Sequence, residues 1–265
     1  MSDVLPIKEL ALLIEASETS LLQSFVDAGR RMRPEAPFLA IEVAGGIAAF
    51  MGVSSPLTMT TSLGLTNGIG AGEIDRVTHF FHDRGAPARV WVNPLADSSL
   101  ERLLAKAGYV PIGRNNALAL ELSANGVARD PRVVEELDAK AWGRISARGF
   151  LERYDGEDEG SFLASTIASG EGVVALSAIE NGEPVATGAM VVQGELASLF
   201  AGSTLAEHRG KGYHRALVAD RLARARESGA RYARTSAPIG SPSETNFRRQ
   251  GMSVLYTRTL WERSR

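Results

Sequence analysis

The stretch Ser198-Leu-Phe-Ala-Gly-Ser-Thr-Leu-Ala-Glu-His-Arg-Gly-Lys-Gly-Tyr-His-Arg-Ala-Leu217 decides how the chain is read. An apolar, strand-like segment runs to Thr204, a turn rich in glycine and cations follows, and an amphipathic helix begins near Tyr213. Gly210 and Gly212 permit a left-handed backbone and keep side chains away from the mouth of the turn. Amide groups exposed there, at the positive end of a helix dipole, can point at an anion. Arg209, Lys211 and Arg215 add full charges, while Leu217, Val218, Leu222 and Ala225 supply a face to pack on a sheet. The stretch is suited to a pyrophosphate or a similar polyanion.

Two commoner phosphate loops do not match. A P-loop would need Gly at 205 and Ser or Thr at 212, which are Leu205 and Gly212. A dinucleotide fingerprint read from Gly210 would need a small residue at 215, which is Arg215; Gly68-x-Gly70 fails likewise at Glu73.

Strand and helix signals alternate on either side. Residues 8–30 have helical spacing, Phe38–Phe50 and Leu57–Leu65 read as broken strands, and Glu73–Arg84 reads as a helix closed by Gly85. A strand at Arg89–Val92, a helix at Ser98–Lys106 and a strand at Tyr109–Leu122 complete the first half. The turn-like run Ser123–Pro131 places a domain boundary at 125/126. Beyond it, Val133–Trp142 and Ser161–Ala168 read as helices and Val173–Ile179, Pro184–Val192 and Leu196–Ser203 as strands. The first two strands are joined by the hairpin signal Glu180-Asn-Gly-Glu183. A helix at Tyr213–Ser228, a strand at Arg231–Ser236, a short helix at Ser243–Arg249 and a strand at Ser253–Trp261 follow. Gly85 and Gly229, Pro94 and Pro238, and Ser99 and Ser243 are each 144 positions apart, and Gly108 and Gly251 are 143 apart. This shared register indicates an internal duplication of one domain.

Composition narrows the function classes. The 265 residues carry 29 Lys plus Arg against 31 Asp plus Glu, a formal charge of −2, so a nucleic-acid partner is not expected. With no cysteine, disulfides, thiolate nucleophiles and iron–sulfur clusters are excluded. Four scattered histidines do not suggest a metal site. The uncharged run Val43–Gly72 is broken by seven glycines and Pro56, so no membrane segment is expected, and a cytoplasmic location is. The arginines at 221, 224, 226, 231 and 234, interspersed with Asp220 and Glu227, read as a solvated helix face.

Arg209-Gly-Lys-Gly-Tyr-His214 resembles the acyl-coenzyme A turn of the GNAT (GCN5-related) N-acetyltransferase superfamily: Arg or Gln, two residues, Gly, one residue, then Gly or Ala. It matches at Arg209 and Gly212 and departs at His214. The element order of residues 131–265 resembles one complete domain of that superfamily. The expected fold is α+β, two GNAT-like mixed-sheet domains in tandem (1–125 and 126–265) with helices on both faces.

The resemblance implies that acetyl-CoA, as co-substrate, lies in a splay between the strand ending at Thr204 and the one beginning near Arg231. Gly202, Ser203 and Thr204 would pair with the pantetheine arm, and an amide near Ser203 would meet the thioester carbonyl. Amides of Gly210, Lys211, Gly212, Tyr213 and His214 would hold the pyrophosphate, with Ser243 and Asn246 close to the cofactor. An amine, on a small molecule in the simplest case, would attack directly.

Many members carry a proton-donating Tyr four residues before the glycine matching Gly251, and an Asn eleven before it; here these are Phe247 and Gly240. Tyr256 on the last strand is the substitute proton donor, set against a plain half-buried packing role. In the first half, Leu65, Gly68 and Gly70 correspond to Arg209, Gly212 and His214, and Glu73 and Asp75 open the helix. That copy reads as degenerate, with a helix start that repels phosphate. Three readings stay open: an N-acetyltransferase, a non-catalytic acyl-CoA-binding sensor or structural module, or an unrelated anion-binding α/β protein. Oligomeric state is not encoded in any feature above.

Overall fold

The computed structural model describes residues 5–123, 126, 128–136, 138–151 and 159–265. The expected boundary at 125/126 falls partly outside these residues, because Asn125 is not among them. The chain divides into two compact units, 1–117 with 254–265, and 118–253. The C-terminal strand therefore belongs to the first unit, and the end of the first half's last strand to the second.

In the first unit, α1 (Ile7–Met32) buries Leu10, Ile14, Leu21, Leu22 and Phe25, the residues whose spacing announced it. Strands β1 (Leu39–Val43), β2 (Gly46–Phe50) and β3 (Met59–Thr61) are antiparallel neighbours. Helix α2 (Ala71–His82) leads to β4 (Ala88–Val92), parallel to β3 through Thr60 and Val90. Helix α3 (Leu100–Lys106) precedes β5 (Val110–Glu121). The last strand of the chain, β11 (Ser253–Arg263), pairs antiparallel with β4, Thr259 opposite Val92. The unit's sheet order is β1-β2-β3-β4-β11-β5. Its core gathers Phe50, Ile74, Val77, Phe81, Val90, Leu100 and Leu104.

In the second unit, residues 118–121 of β5 lie beside β10 (Tyr232–Pro238), and the order continues β10-β9-β8-β7-β6. The Leu122 amide donates to the Arg231 carbonyl at 2.8 Å. Strands β7 (Val174–Glu180), β8 (Glu183–Gln193) and β9 (Leu196–Thr204) form an antiparallel meander. At the β7–β8 hairpin Asn181 and Gly182 both have positive φ, 54° and 87°, matching the twist of a two-residue turn. Helix α6 (Tyr213–Glu227) joins β9 to β10, and α7 (Pro242–Arg249) follows β10.

The helix expected over Val133–Trp142 is a different structure. Val133–Glu135 is a short edge strand, β6, paired with β7, and a helix, α4, spans Ala139–Phe150. Asp138 caps α4 by accepting from the Lys140 and Ala141 amides, which marks a start well after Val133. Helix α5 (Glu159–Ala168) packs on α4 and agrees with expectation. Likewise α7 starts one residue earlier than expected: Ser241, not Ser243, is its cap, accepting from the Glu244 amide at 3.1 Å.

The 144-residue register has a conformational counterpart. Gly85 and Gly229 take φ of 76° and 80°, and Gly108 and Gly251 take 83° and 89°. Among the described residues no helix is long and apolar enough to cross a membrane.

Candidate active site

All residues of this site belong to the second unit. Strands β9 and β10 pair in parallel at Leu196–Tyr232, Ala197–Ala233 and Ser198–Arg234. The pairing ends there, although β9 runs on to Thr204 and β10 to Pro238; Thr235 Oγ1 donates to the Leu199 carbonyl at 2.8 Å, and the two strands part beyond that contact. A bulge contributes to the parting: Ala189 faces Phe200 while Thr187 faces Ser203, one residue more on β9 than on β8. Ala201, in the bulge, is held at φ 50°, a conformation an L-residue adopts only under constraint.

Helices cover both faces here. Ser203 Oγ donates to the Ser146 carbonyl of α4 at 3.2 Å and shares a 2.9 Å bond with Thr187 Oγ1. Gly202, its neighbour, faces α6 instead: a Cβ built there would sit 3.3 Å from His214 Nε2 and 3.6 Å from Arg221 Nη2. Gly149 allows the close approach of α4, since a Cβ on it would sit 2.5 Å from Ser203 Oγ.

After Thr204 the chain makes a short 3-10 turn, Ala206–His208, and enters α6 through Gly210 (φ 78°) and Gly212 (φ 87°). Gly212 is the cap residue and provides no side-chain cap. The amides of Gly210, Lys211, Gly212, Tyr213 and His214 find no protein acceptor among the described residues. Five donors at a helix N-terminus are thus open to a ligand. Nothing lies within 4 Å of a Cβ on Gly210.

The cations around the turn are divided between structure and site. Arg209 Nε donates to the Thr204 carbonyl at 3.2 Å and Nη2 to the Gly149 carbonyl at 3.1 Å, so this guanidinium fastens the turn to the end of α4. Lys211 Nζ is 3.3 Å from Glu180 Oε2, and Tyr213 donates a 2.6 Å bond to Glu180 Oε1. His208 Nδ1 stands 2.7 Å from the same carboxylate. The Tyr213 hydroxyl and then the Lys211 ammonium hold the Glu180 carboxyl below the usual carboxylate range. Glu180 escaped the sequence reading because it sits in a hairpin, far along the chain from the turn it serves.

His214 is placed where the motif expects a small residue. Its ring packs edge-on to Phe247 at 5.6 Å, and Nδ1 accepts from Asn246 Nδ2 at 3.4 Å. Burial, and next the Arg221 charge, push its pKa down to about 4, so the imidazole is neutral at physiological pH. Asn246 is thereby brought to the site; Ser243 is half-buried one turn before it on α7.

The expectation of a solvated arginine face fails at two positions. Arg221 is fully buried, donating through Nε to the Leu217 carbonyl and through Nη1 to the carbonyls of Ala189 and Phe200. Arg234 is buried too, with Nε 2.7 Å from Ser198 Oγ. Arg221 thus gives a donor to the two carbonyls of the Ala189–Phe200 pair beside the bulge, a contact no local sequence pattern announces.

Tyr256 lies in the first unit, 8% exposed, and donates a 2.6 Å bond to the buried Glu15, whose carboxylate also accepts from Ser62 and Asn93. Burial and the Glu15 charge raise its pKa, which makes it a poorer proton donor. The first unit's own helix start differs from that of α6. Gly70 has an extended φ of −129°, and its amide donates to Glu73 Oε2 at 2.9 Å, so an internal carboxylate occupies the place of an anion.

The parting of two parallel strands, the glycine turn with unclaimed amides and the helix after it all lie in the second unit, and the chain as a whole has an α+β fold with a mixed sheet, as GNAT proteins do. The chain is similar in structure to a GCN5-related N-acetyltransferase from Kribbella flavida, at a TM-score of 0.67 and 17% identity over 94% of this chain and 95% of that one. It is also similar to a tandem GNAT protein from the clavulanic acid biosynthesis pathway, at a TM-score of 0.61 and 15% identity over 93% and 95% of the two chains. A functionally unknown conserved protein from Staphylococcus epidermidis matches at 0.58 and 12% identity over 86% and 94%. By sequence, no family model and no curated protein matches the chain.

Proposed function

We propose that the second unit binds acetyl-CoA and transfers its acetyl group to an amine of a small molecule. The observation that carries this reading is the set of five unclaimed amides from Gly210 to His214, at the end of a strand that has parted from its parallel neighbour. The donors suit a pyrophosphate, the free edge of β9 around Gly202, Ser203 and Thr204 suits an amide-containing arm, and Lys211 supplies positive charge. The likeness in fold to N-acetyltransferases points the same way.

In this reading the amine nitrogen attacks the thioester carbon, and an amide near Ser203 stabilises the charge that develops on oxygen. The carbon–sulfur bond then breaks, and the thiolate takes up the proton released by the amine. The chain's net charge of −2 supports a small acceptor over a nucleic acid.

A second reading, an acyl-CoA sensor without catalysis, is favoured by the buried Phe247, which has no proton to give, and by the engagement of Tyr256 with Glu15. One pair of measurements separates the two. Acetyl-CoA at a hundredfold excess over its dissociation constant should stabilise the fold by about 2.7 kcal/mol, raising the thermal midpoint by several degrees. Thiol release in the presence of an amine panel should then exceed the rate without amine. Stabilisation without thiol release favours the sensor, and no stabilisation rejects both.

A further inference from the structure

Arg221 combines complete burial with a donor that has no acceptor. Nε and Nη1 are engaged by three main-chain carbonyls, but Nη2 is a buried nitrogen without a hydrogen-bond partner. The acidic neighbour Asp220 is committed elsewhere, accepting from Arg224 Nε at 2.6 Å and from the Asp130 amide. An open N–H on a buried cation costs about 1–3 kcal/mol unless something accepts from it.

Three glycine and imidazole features converge on that nitrogen. Gly188 makes room for the guanidinium, because a Cβ there would sit 3.0 Å from its Cζ. Gly202 exposes the bulge to Nη2 and to His214 Nε2 together, at 3.6 and 3.3 Å from the position a Cβ would take. Asn246 Nδ2 lies 3.4 Å from His214 Nδ1, an arrangement that suits the tautomer with its proton on Nε2, the nitrogen nearer Gly202. His214 Nε2 and Arg221 Nη2, both from α6, therefore lie against the same face of the β9 bulge at Gly202.

We propose that His214 Nε2–H and Arg221 Nη2–H form a donor pair for the thioester carbonyl oxygen of the bound acyl donor, which makes His214 a catalytic residue in the chain that lacks a tyrosine at 247. The inference rests on the acetyl-CoA reading above. As the amine lone pair forms the carbon–nitrogen bond, the carbonyl π pair moves to oxygen, where the two donors stabilise it. The pair returns to re-form the carbonyl, the carbon–sulfur bond breaks with its electrons on sulfur, and the proton lost by nitrogen ends on the thiol. A neutral imidazole acting as donor involves no proton transfer by the ring.

The test uses the full chain with acetyl-CoA carrying an isotope-labelled carbonyl, observed by difference infrared spectroscopy. In the wild type the carbonyl band should lie at lower wavenumber than in His214→Phe, and His214→Gln, which keeps an N–H, should fall with the wild type. Thiol release should drop about 100-fold in His214→Phe while the dissociation constant stays within about threefold. Arg221→Lys should move the band toward that of His214→Phe; where it fails to fold because the bulge loses its tie, the His214 pair still decides. Identical bands in wild type and His214→Phe, with both binding, overturn the proposal and leave the acetyl-CoA reading standing. Absence of binding in the wild type overturns both.

Discussion

Tyr213 donates a 2.6 Å hydrogen bond to Glu180, and that same carboxylate faces Lys211 at 3.3 Å. A negative group thus sits beside five amides suited to an anion, and it opposes the ligand it helps to frame. Glu180→Gln keeps the shape and removes the charge. It should tighten acetyl-CoA binding about threefold or more at low ionic strength, with the gain shrinking in high salt. Titration of both proteins at two salt concentrations checks this; weaker binding by the variant would show that Glu180 orders the turn more than it repels the ligand.

His214 predicts a pH-dependent stability. Its native pKa, about 4, lies below the unfolded value of about 6.5. A depressed base contributes stability that is complete above the unfolded value and is lost as pH falls toward the native one. From pH 7 to pH 5 the loss should be about 2 kcal/mol in the wild type, and that component should vanish in His214→Phe. Urea unfolding at the two pH values measures it. Parallel losses in both proteins would contradict the burial of a neutral ring.

Gly149 predicts a packing effect. A Cβ would meet Ser203 Oγ at 2.5 Å, Ser203 Cβ at 2.8 Å and the Thr204 amide nitrogen at 3.2 Å. Gly149→Ala should therefore push α4 from β9 and cost about 1–3 kcal/mol. It should also disturb the carbonyl to which Arg209 is tied. An unchanged denaturation midpoint would mean that α4 does not lie this close.

The Tyr256–Glu15 bond predicts a role in stability. Removing the hydroxyl takes a charge-assisted donor from a buried carboxylate, so Tyr256→Phe should cost about 1–3 kcal/mol. Thiol release per folded molecule should be retained well below the unfolding temperature. A loss of catalysis in fully folded protein would restore Tyr256 as a proton donor.

The parts of this fold that were legible in sequence are those governed by local rules. The glycine turn and α6 follow from positive-φ glycines and helix periodicity, and the β7–β8 hairpin follows from Asn181-Gly182. What escaped depends on contacts distant along the chain. Val133–Glu135 is a strand because it lies against β7, and only the Asp138 cap betrayed the later start of α4. Arg221 looked solvated because its charge pattern is that of a surface helix, whereas two carbonyls beside the bulge draw it inside. The last strand joins the first unit by pairing with β4, a partner that no neighbouring residue reveals.

The most direct test of the central claim is calorimetric titration of the intact chain with acetyl-CoA, beside the charge-reversed variant Lys211→Glu. One site per chain, weakened by that substitution, is the predicted result. No binding heat, or two equivalent sites per chain, would contradict it.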